Sequence, residues 1–437
     1  CAMAMDRDEL NKKRLARAAQ RKKQLEQQRK LKLRLILAAV ILVVCGVAIF
    51  ALTPGGSDSP TVQQPSIPGQ TLPPETAPPT EPPSRHQLDP TTVIHIKAAG
   101  DLNITDKVVA AGNSPLGYDF TKAFLDVAPV LADADLTMLN LEGIFVGEPY
   151  GTATRSAPRE LLRALDASGV DLIQAANSYS VYDGISGLNT TLSAIRSAGM
   201  EPVGAFASNE EFRRTKGYTI CDVQGIKVGV VAFTKGMDSL GLPAGSEDCV
   251  NVLYTDYFST YKDVDTEGIT QVLKDLRSEK PDVTIAMLHW GSEYNDTISE
   301  SQEKIAKLML DEGVDITLGT HSHMVHQVVF DEEKNTLVAY SLGDFFGDGE
   351  KGGSNYSIIL DIELTRDNTT GITKITDYGY TPIYTLNETE CDGQRRVVRI
   401  RHAMDAYALN YVDKVTKACY ASMENSLKRI NARVNGE

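Results

Sequence analysis

Beyond Thr91 the apolar residues arrive in short runs separated by longer amphipathic stretches. "TVIHIKAAG" (92–100), "DLTMLNLEG" (135–143), "VDLIQAAN" (170–177), "IKVGVVAFT" (226–234), "DVTIAMLHWG" (282–291) and "VDITLGTHSH" (314–323) are rich in β-branched and aliphatic residues and read as buried strands. Between them, "APRELLRALDASG" (157–169), "GISGLNTTLSAIRSAG" (184–199), "ITQVLKDLRSEK" (269–280) and "SESQEKIAKLMLDEG" (299–313) repeat their apolar positions every three to four residues and read as helices. The last opens with a Ser-x-x-Gln cap, and two of the others stop at glycine. "YDFTKAFLDVAPVLADA" (118–134) reads as a helix interrupted at Pro129, and "NTLVAYSLGDFFGD" (335–348) and "SNYSIILDIEL" (354–364) as further strands. Such alternation predicts an α/β protein of layered sheets and helices, with a mostly helical tail over Val398–Val434.

Ahead of this body the pattern changes. Leu35–Thr53, "LILAAVILVVCGVAIFALT", is nineteen residues without a charge, and at about 1.5 Å per residue it matches a bilayer's hydrocarbon core. A cleaved signal peptide fits less well than a signal-anchor. The basic region before the run is too long, the run exceeds an ordinary signal core, and no small-x-small site precedes Pro54. Residues 1–34 hold twelve Lys/Arg against Asp6, Asp8, Glu9 and Glu26. Positive flanks stay cytoplasmic, so the chain is expected to be single-pass in the plasma membrane, with its main domain extracellular. Residues 54–90 contain eleven of the nineteen prolines and read as an extended spacer. The expected plan is therefore a cytoplasmic basic helix (1–34), a transmembrane helix (35–53), a linker (54–90), a folded domain (91–390) and a helical extension (391–437).

Charge narrows the partners. The whole chain carries −14, and because residues 1–34 carry +8, the rest carries −22. A body this acidic repels nucleic acid, whereas the basic segment suits anionic lipid or simply orients the anchor. Cys221, Cys249, Cys391 and Cys419 follow the apolar run. Four cysteines allow three pairings, and the shortest separations join Cys221 to Cys249 and Cys391 to Cys419. Their spacing matches no zinc motif.

Candidate chemistry collects where strands end. Gly100-Asp101, Asn140-Leu141-Glu142, Asn177, His289-Trp290-Gly291 and His321-Ser322-His323 each follow an apolar run. In open α/β sheets ligands bind beyond the carboxyl ends of the strands, and carboxylate, amide and imidazole together suit manganese, zinc or iron. Two such divalent ions can share a bridging carboxylate, for which Glu142 is the natural candidate. Asp101 and His323 then hold one ion, and His289 and His321 the other. His321 and His323 point to opposite sides if the strand continues, and toward neighbouring ions if the chain turns there.

The order Gly-Asp, Asn-Leu-Glu, Ala-Asn, His-Trp-Gly, Gly-x-His-x-His and Tyr-Ser-Leu-Gly resembles the CapA/PgsA poly-γ-glutamate capsule synthesis family, within the calcineurin-like metallophosphatase superfamily. "HWGSEYN", "GTHSHMVHQ" and "AYSLGDFF" carry the likeness, which runs from about Val93 to Leu364. The resemblance implies a four-layer, metallophosphatase-like β-sandwich flanked by helices. It also implies a role in making, attaching or trimming an anionic cell-surface polymer, alone or with subunits of a polymer-synthesis complex. Asp101, Tyr179 and His289 stand at its catalytic positions, and Asp101, Glu142, Asn177, Ser178, His289, His321 and His323 at its metal positions. Two departures matter. "ANSYSVYDG" (176–184) puts Ser178 and Tyr179 where the family pattern has Asn and His, and "LGDFF" puts Asp344 where it has Asn. Asn103, as is usual in the family the chain resembles, occupies a place that is His in many metallophosphatases. A Ser hydroxyl is a weaker ligand than an amide, and a phenol titrating near ~10 is a poor proton shuttle at neutral pH. The resemblance thus leaves two readings, a metal-dependent hydrolase and a non-catalytic accessory subunit with a degenerate centre. Asp183 and Asn177 are the residues that compensate if the loop is shifted.

Overall fold

The computed structural model describes residues 89–390, 393–408 and 415–437. The expected cytoplasmic helix, the membrane helix at 35–53 and the linker up to residue 88 lie outside the described residues. Among the described residues, no helix is long and apolar enough to cross a membrane.

The elements run β1 (Thr91–Asn103), α1 (Asp106–Ala110), β2 (Asn113–Ser114), β3 (Gly117–Tyr118), α2 (Thr121–Phe124), α3 (Ala128–Leu131), β4 (Leu136–Glu142), α4 (Glu160–Ser168), β5 (Leu172–Gln174), α5 (Gly184–Ala198), β6 (Glu201–Val203), α6 (Asn209–Thr215), β7 (Tyr218–Val223) and β8 (Ile226–Thr234). They continue with α7 (Thr266–Ser278), β9 (Val283–His289), α8 (Glu300–Asp311), β10 (Ile316–Thr320), β11 (Val328–Asp331), β12 (Thr336–Ala339), β13 (Asp344–Phe346), β14 (Tyr356–Asp367), β15 (Thr373–Leu386), β16 (Arg396–Arg399), α9 (Ile400–Ala408) and α10 (Lys417–Val434).

Two mixed sheets form. One has the order β16-β15-β14-β1-β4-β5-β6 with β13 also pairing β1, and the other β11-β12-β10-β9-β8-β7. Strand periodicity decides how they stack. On β4, Leu136 and Met138 face the core shared with Ile285 and Met287 of β9. Leu139 and Leu141 face Leu161, Leu162 and Leu165 of α4 and Ile195 of α5. On the other sheet, Ala286 and Leu288 face Ile269, Leu273 and Leu276 of α7 and Ile305 and Met309 of α8. Central strands are thus apolar on both faces, as their near-continuous runs require. The result is four layers: helices, sheet, sheet, helices. Each fully buried Leu or Ile in them contributes about 1.5–3 kcal/mol. The expected cap is present, with Ser299 and Gln302 satisfying each other's backbone N–H groups at the start of α8.

Three stretches differ from expectation. Residues 118–134 hold two single-turn helices, because Pro129 suits the start of α3 but not the middle of a longer helix. Residues 335–348, read as one strand, are two: β12 lies in one sheet and β13 in the other. The tail is not only helical. Its strand β16 pairs with β15, and Ile400, Met423, Ile430 and Val434 enter the central core, so Pro90–Glu437 is one compact unit. The Cys221–Cys249 bridge does not form. Cys249 keeps a buried free thiol, 3.8 Å from Asn209 Oδ1. Cys391 lies outside the described residues.

Candidate metal centre

Parallel pairing carries the chemistry to one edge. Asp101 on β1 stands opposite Asn140 on β4, and Asn103 opposite Glu142. In the other sheet His289 at the end of β9 stands opposite Thr320 at the end of β10. The crossing between β12 and β13 adds a further group, since it sets Asp344 opposite Asp101. That crossing needs Gly343, whose φ is +78°. It also needs Gly100, where a Cβ would lie 1.7 Å from the Gly343 carbonyl oxygen. The same carbonyl accepts from Asp101 N–H at 2.9 Å.

Where β10 stops, the chain turns sharply. His321 and His323 adopt φ of +85° and +58°, a strain of about 1–3 kcal/mol each that packing must hold. The strand therefore does not continue, and both imidazoles reach the same centre. Glu142 Oε1 is 3.1 Å from His289 Nε2 and 3.1 Å from His321 Nδ1. His323 Nδ1 is 2.6 Å from Asp344 Oδ1 and 3.8 Å from Asp101 Oδ2. Asp101 also accepts from Asn140 Nδ2 at 2.6 Å and from His321 N–H at 3.0 Å. Potential ligand atoms fall into three overlapping groups, each within 4.8 Å: Glu142, His289 and His321; Asp101, His323 and Asp344; Glu293, His321 and His323. All but Glu293 are buried. His326, the next histidine along the chain, takes no part; its Nε2 bonds the Asn295 carbonyl at 2.9 Å.

Burial governs the electrostatics. It raises Asp101 well above the carboxylate range and brings Glu142 from 4.5 to about 8. It holds His289 and His321 far below the usual imidazole value, leaving them neutral. For His323 burial acts the same way, but Asp344, Glu142 and Asp101 outweigh it and raise its value well above normal. Because burying uncompensated charge costs several kcal/mol per ion, Asp101, Glu142 and Asp344 are all pushed toward their protonated forms, and only a cation placed among them would favour the carboxylates. Asn140 Oδ1 is buried with no hydrogen-bond partner. Orphaned oxygen, carboxyl groups whose protons a cation would displace, and neutral imidazoles are a donor set that fits divalent transition metal.

The other expected residues sit at the margin. Ser178 N–H and Oγ lie 3.1 and 2.9 Å from His289 Nε2, so Ser178 touches the centre through that imidazole. Asn177 is diverted from the ligand role. Its side-chain oxygen accepts from Tyr179 N–H at 2.7 Å and its amide nitrogen reaches the Ala175 carbonyl at 3.4 Å, because an Asx turn shapes this loop. Asp183 is exposed before α5 and offers no compensation. Tyr179 packs beneath the Arg155 guanidinium, 4.3 Å from ring centroid. Burial, and then the Glu142 charge, push its phenol well up, which removes it as a proton shuttle near neutrality. Tyr179 instead walls a cavity of about 300 Å³ shared with Ser178, Lys235, Tyr261, Glu293 and His321. Sequence reasoning missed Asp344 and Glu293 as ligand candidates, and Arg155 and Lys235 as the flanking cations. Glu293 was visible inside "HWGSEYN"; Arg155 had no motif to mark it.

Metal affinity is predicted to rise with pH toward about 8, the value of Glu142. Below it a proton on Glu142 must be displaced, at a cost of about tenfold per pH unit. Calorimetry in buffers of different ionisation enthalpy reads the proton release directly. Affinity independent of pH between 6 and 8 would contradict this geometry.

The model of the bacterial capsule synthesis protein PGA_cap matches residues 95–348. The chain belongs to the PGA_cap family. Among relatives, the capsule biosynthesis protein CapA of Bacillus anthracis is 30% identical over 262 residues, covering 58% of this chain and 60% of that one. The PGA biosynthesis protein CapA of Bacillus subtilis (strain 168) is 24% identical over 251 residues, covering 56% and 62%. This PGA_cap member spans about three fifths of the length of these two relatives. A solved calcineurin-like phosphoesterase, YfkN from Bacillus subtilis, aligns with a TM-score of 0.41 and 16% identity over 78% of this chain and 100% of that one.

Proposed function

We propose that this PGA_cap protein is a membrane-anchored, extracytoplasmic, metal-dependent hydrolase acting on an anionic cell-surface polymer of the poly-γ-glutamate type or on its phosphoester linkages. The observation that carries this reading is the meeting of Asp101, Glu142 and Asp344 from one sheet with His289, His321 and His323 from the strand ends of the other, all buried. Manganese, zinc or iron bound there, one or two ions, would polarise the scissile group and activate water near neutral pH. The chain's own contribution is positioning. Glu142 stands between His289 and His321, Asp101 and Asp344 flank His323, and Ser178 holds His289 from the cavity side. The anchor expected at 35–53 keeps the site at the membrane surface, beside the subunits of a polymer-synthesis complex.

A second reading, an accessory subunit that binds polymer without cleaving it, is favoured by one observation. Tyr179 occupies the proton-donor position with its phenol held protonated. Turnover separates the two. Membranes containing the full chain should release γ-glutamyl fragments or phosphate, stop after chelation, and recover with added manganese. Metal-loaded protein that binds polymer but releases nothing would leave the accessory reading standing.

A further inference from the structure

We propose that Lys235, seated over the Tyr261 ring at the rim of the metal centre, selects the substrate by pairing with one of its free carboxylates. This rests on the reading that the site handles an acidic polymer.

β8 places the residue. Thr234 at its end stands opposite His289, so Lys235 is one step beyond the same edge, and its backbone N–H donates to the His289 carbonyl at 2.8 Å. Its Nζ donates to the Gly291 carbonyl at 2.8 Å and lies 4.9 Å from the Tyr261 ring centroid. An ammonium has three N–H groups. The Gly291 carbonyl takes one, and the ring face steadies the charge without accepting a second conventional bond. The cavity that Lys235 lines also contains His321 and Ser178. Among the described residues lining it, Lys235 is the single Lys or Arg. Its side chain is half-buried, and with Glu293 and Asp238 lining the same cavity it is the one cation among the described lining residues that can pair with an incoming anion.

A γ-linked glutamyl chain keeps one free α-carboxylate per residue, next to the linkage that would be cut. A body carrying −22 outside its N-terminal segment repels such a chain everywhere except at local cations. Lys235 supplies that cation within the cavity that reaches the metal ligands.

The test reads binding, not turnover. Full chain in detergent micelles, loaded with manganese, is titrated into a fluorescent γ-glutamyl pentamer and into the same pentamer with its α-carboxylates converted to carboxamides. A charge-assisted hydrogen bond is worth more than about tenfold. Lys235→Met should therefore weaken the acid pentamer at least about tenfold, Lys235→Arg should stay within about threefold of wild type, and the carboxamide pentamer should bind wild type and Lys235→Met alike. Metal content is measured in every sample. Equal affinity of metal-loaded wild type and Lys235→Met for the acid pentamer overturns the proposal. So does a carboxamide pentamer weakened as much as the acid one, which marks a merely structural lysine. Lys235-dependent binding of inorganic phosphate without pentamer binding overturns the carboxylate assignment. Should Lys235→Met lose metal, the wild-type ratio of acid to carboxamide affinity decides, and a ratio of one overturns. Protein that binds through Lys235 but cleaves nothing supports this inference and sinks the hydrolase reading instead.

Discussion

Glu142→Gln in the full chain is expected to lose bound transition metal, lowering affinity more than about 100-fold, since even partners behind the ligands are worth 10–100-fold. The substitution keeps shape and removes one anion. That anion is the single carboxylate in the group with His289 and His321, 3.1 Å from a nitrogen of each. The metal-free protein should respond in the opposite sense. Burial raises the folded value of Glu142 from 4.5 to about 8. A raised value means that its contribution to stability is fully present below about 4.5 and is lost as pH rises toward about 8. Gln carries no such loss, so near pH 8 metal-free Glu142→Gln should be at least as stable as metal-free wild type. The combined signature is a melting temperature that manganese raises in wild type and leaves unmoved in the variant. Elemental analysis gives the other half. A variant holding metal at wild-type affinity would remove Glu142 from the centre and, with it, the proposed function.

How much of this was legible from residue order can be judged at particular places. Strand and helix pattern alone located β1, β4, β8, β9 and β10, because central strands of a sandwich are apolar on both faces and leave a dense signal. Asp101, Glu142, His289, His321 and His323 stood out together, because several strand ends carrying carboxylate and imidazole make a ligand set that no single one of them would suggest. Strands toward the margin of a sheet were less visible. β15 exposes Thr376, Asp377 and Gly379, and polar alternation of that kind resembles a loop. Asn177 was credited with a free amide because nothing in the sequence shows that its own turn takes up the oxygen. Asp344 was missed for a topological reason. Residues 335–348 carry one continuous strand pattern, and the jump between sheets depends on the left-handed backbone at Gly343 and the missing side chain at Gly100, which lie 243 positions apart. A contact of that separation has no local signature.

Asp344→Ala tests the group that the crossing delivers, and it should injure both stability and metal binding. Asp344 Oδ1 and His323 Nδ1 are 2.6 Å apart with both side chains buried. Removing one member of a buried charged pair strands the other, at a cost of about 3–5 kcal/mol. The pH dependence identifies the pair. His323 has a folded value raised well above 6.5, with Asp344 the foremost of the carboxylates that lift it against burial. Its stabilising contribution is therefore complete below about 6.5 and fades as pH rises through the folded value. Asp344, itself raised by burial, also loses its contribution with rising pH. The gap in unfolding free energy between wild type and Asp344→Ala should thus be widest on the acid side and narrow toward alkaline pH. On metal, loss of a carboxylate beside Asp101 and His323 should cost at least about 10–100-fold in affinity. Asp344→Asn, the residue of the family pattern, keeps a hydrogen-bonding group toward His323 and should lose less on both counts. Urea titrations of the metal-free chain at several pH values, paired with metal titrations, measure the two effects separately. An Asp344→Ala variant with unchanged midpoint and unchanged metal affinity would show that the crossing at Gly343 contributes nothing to the centre.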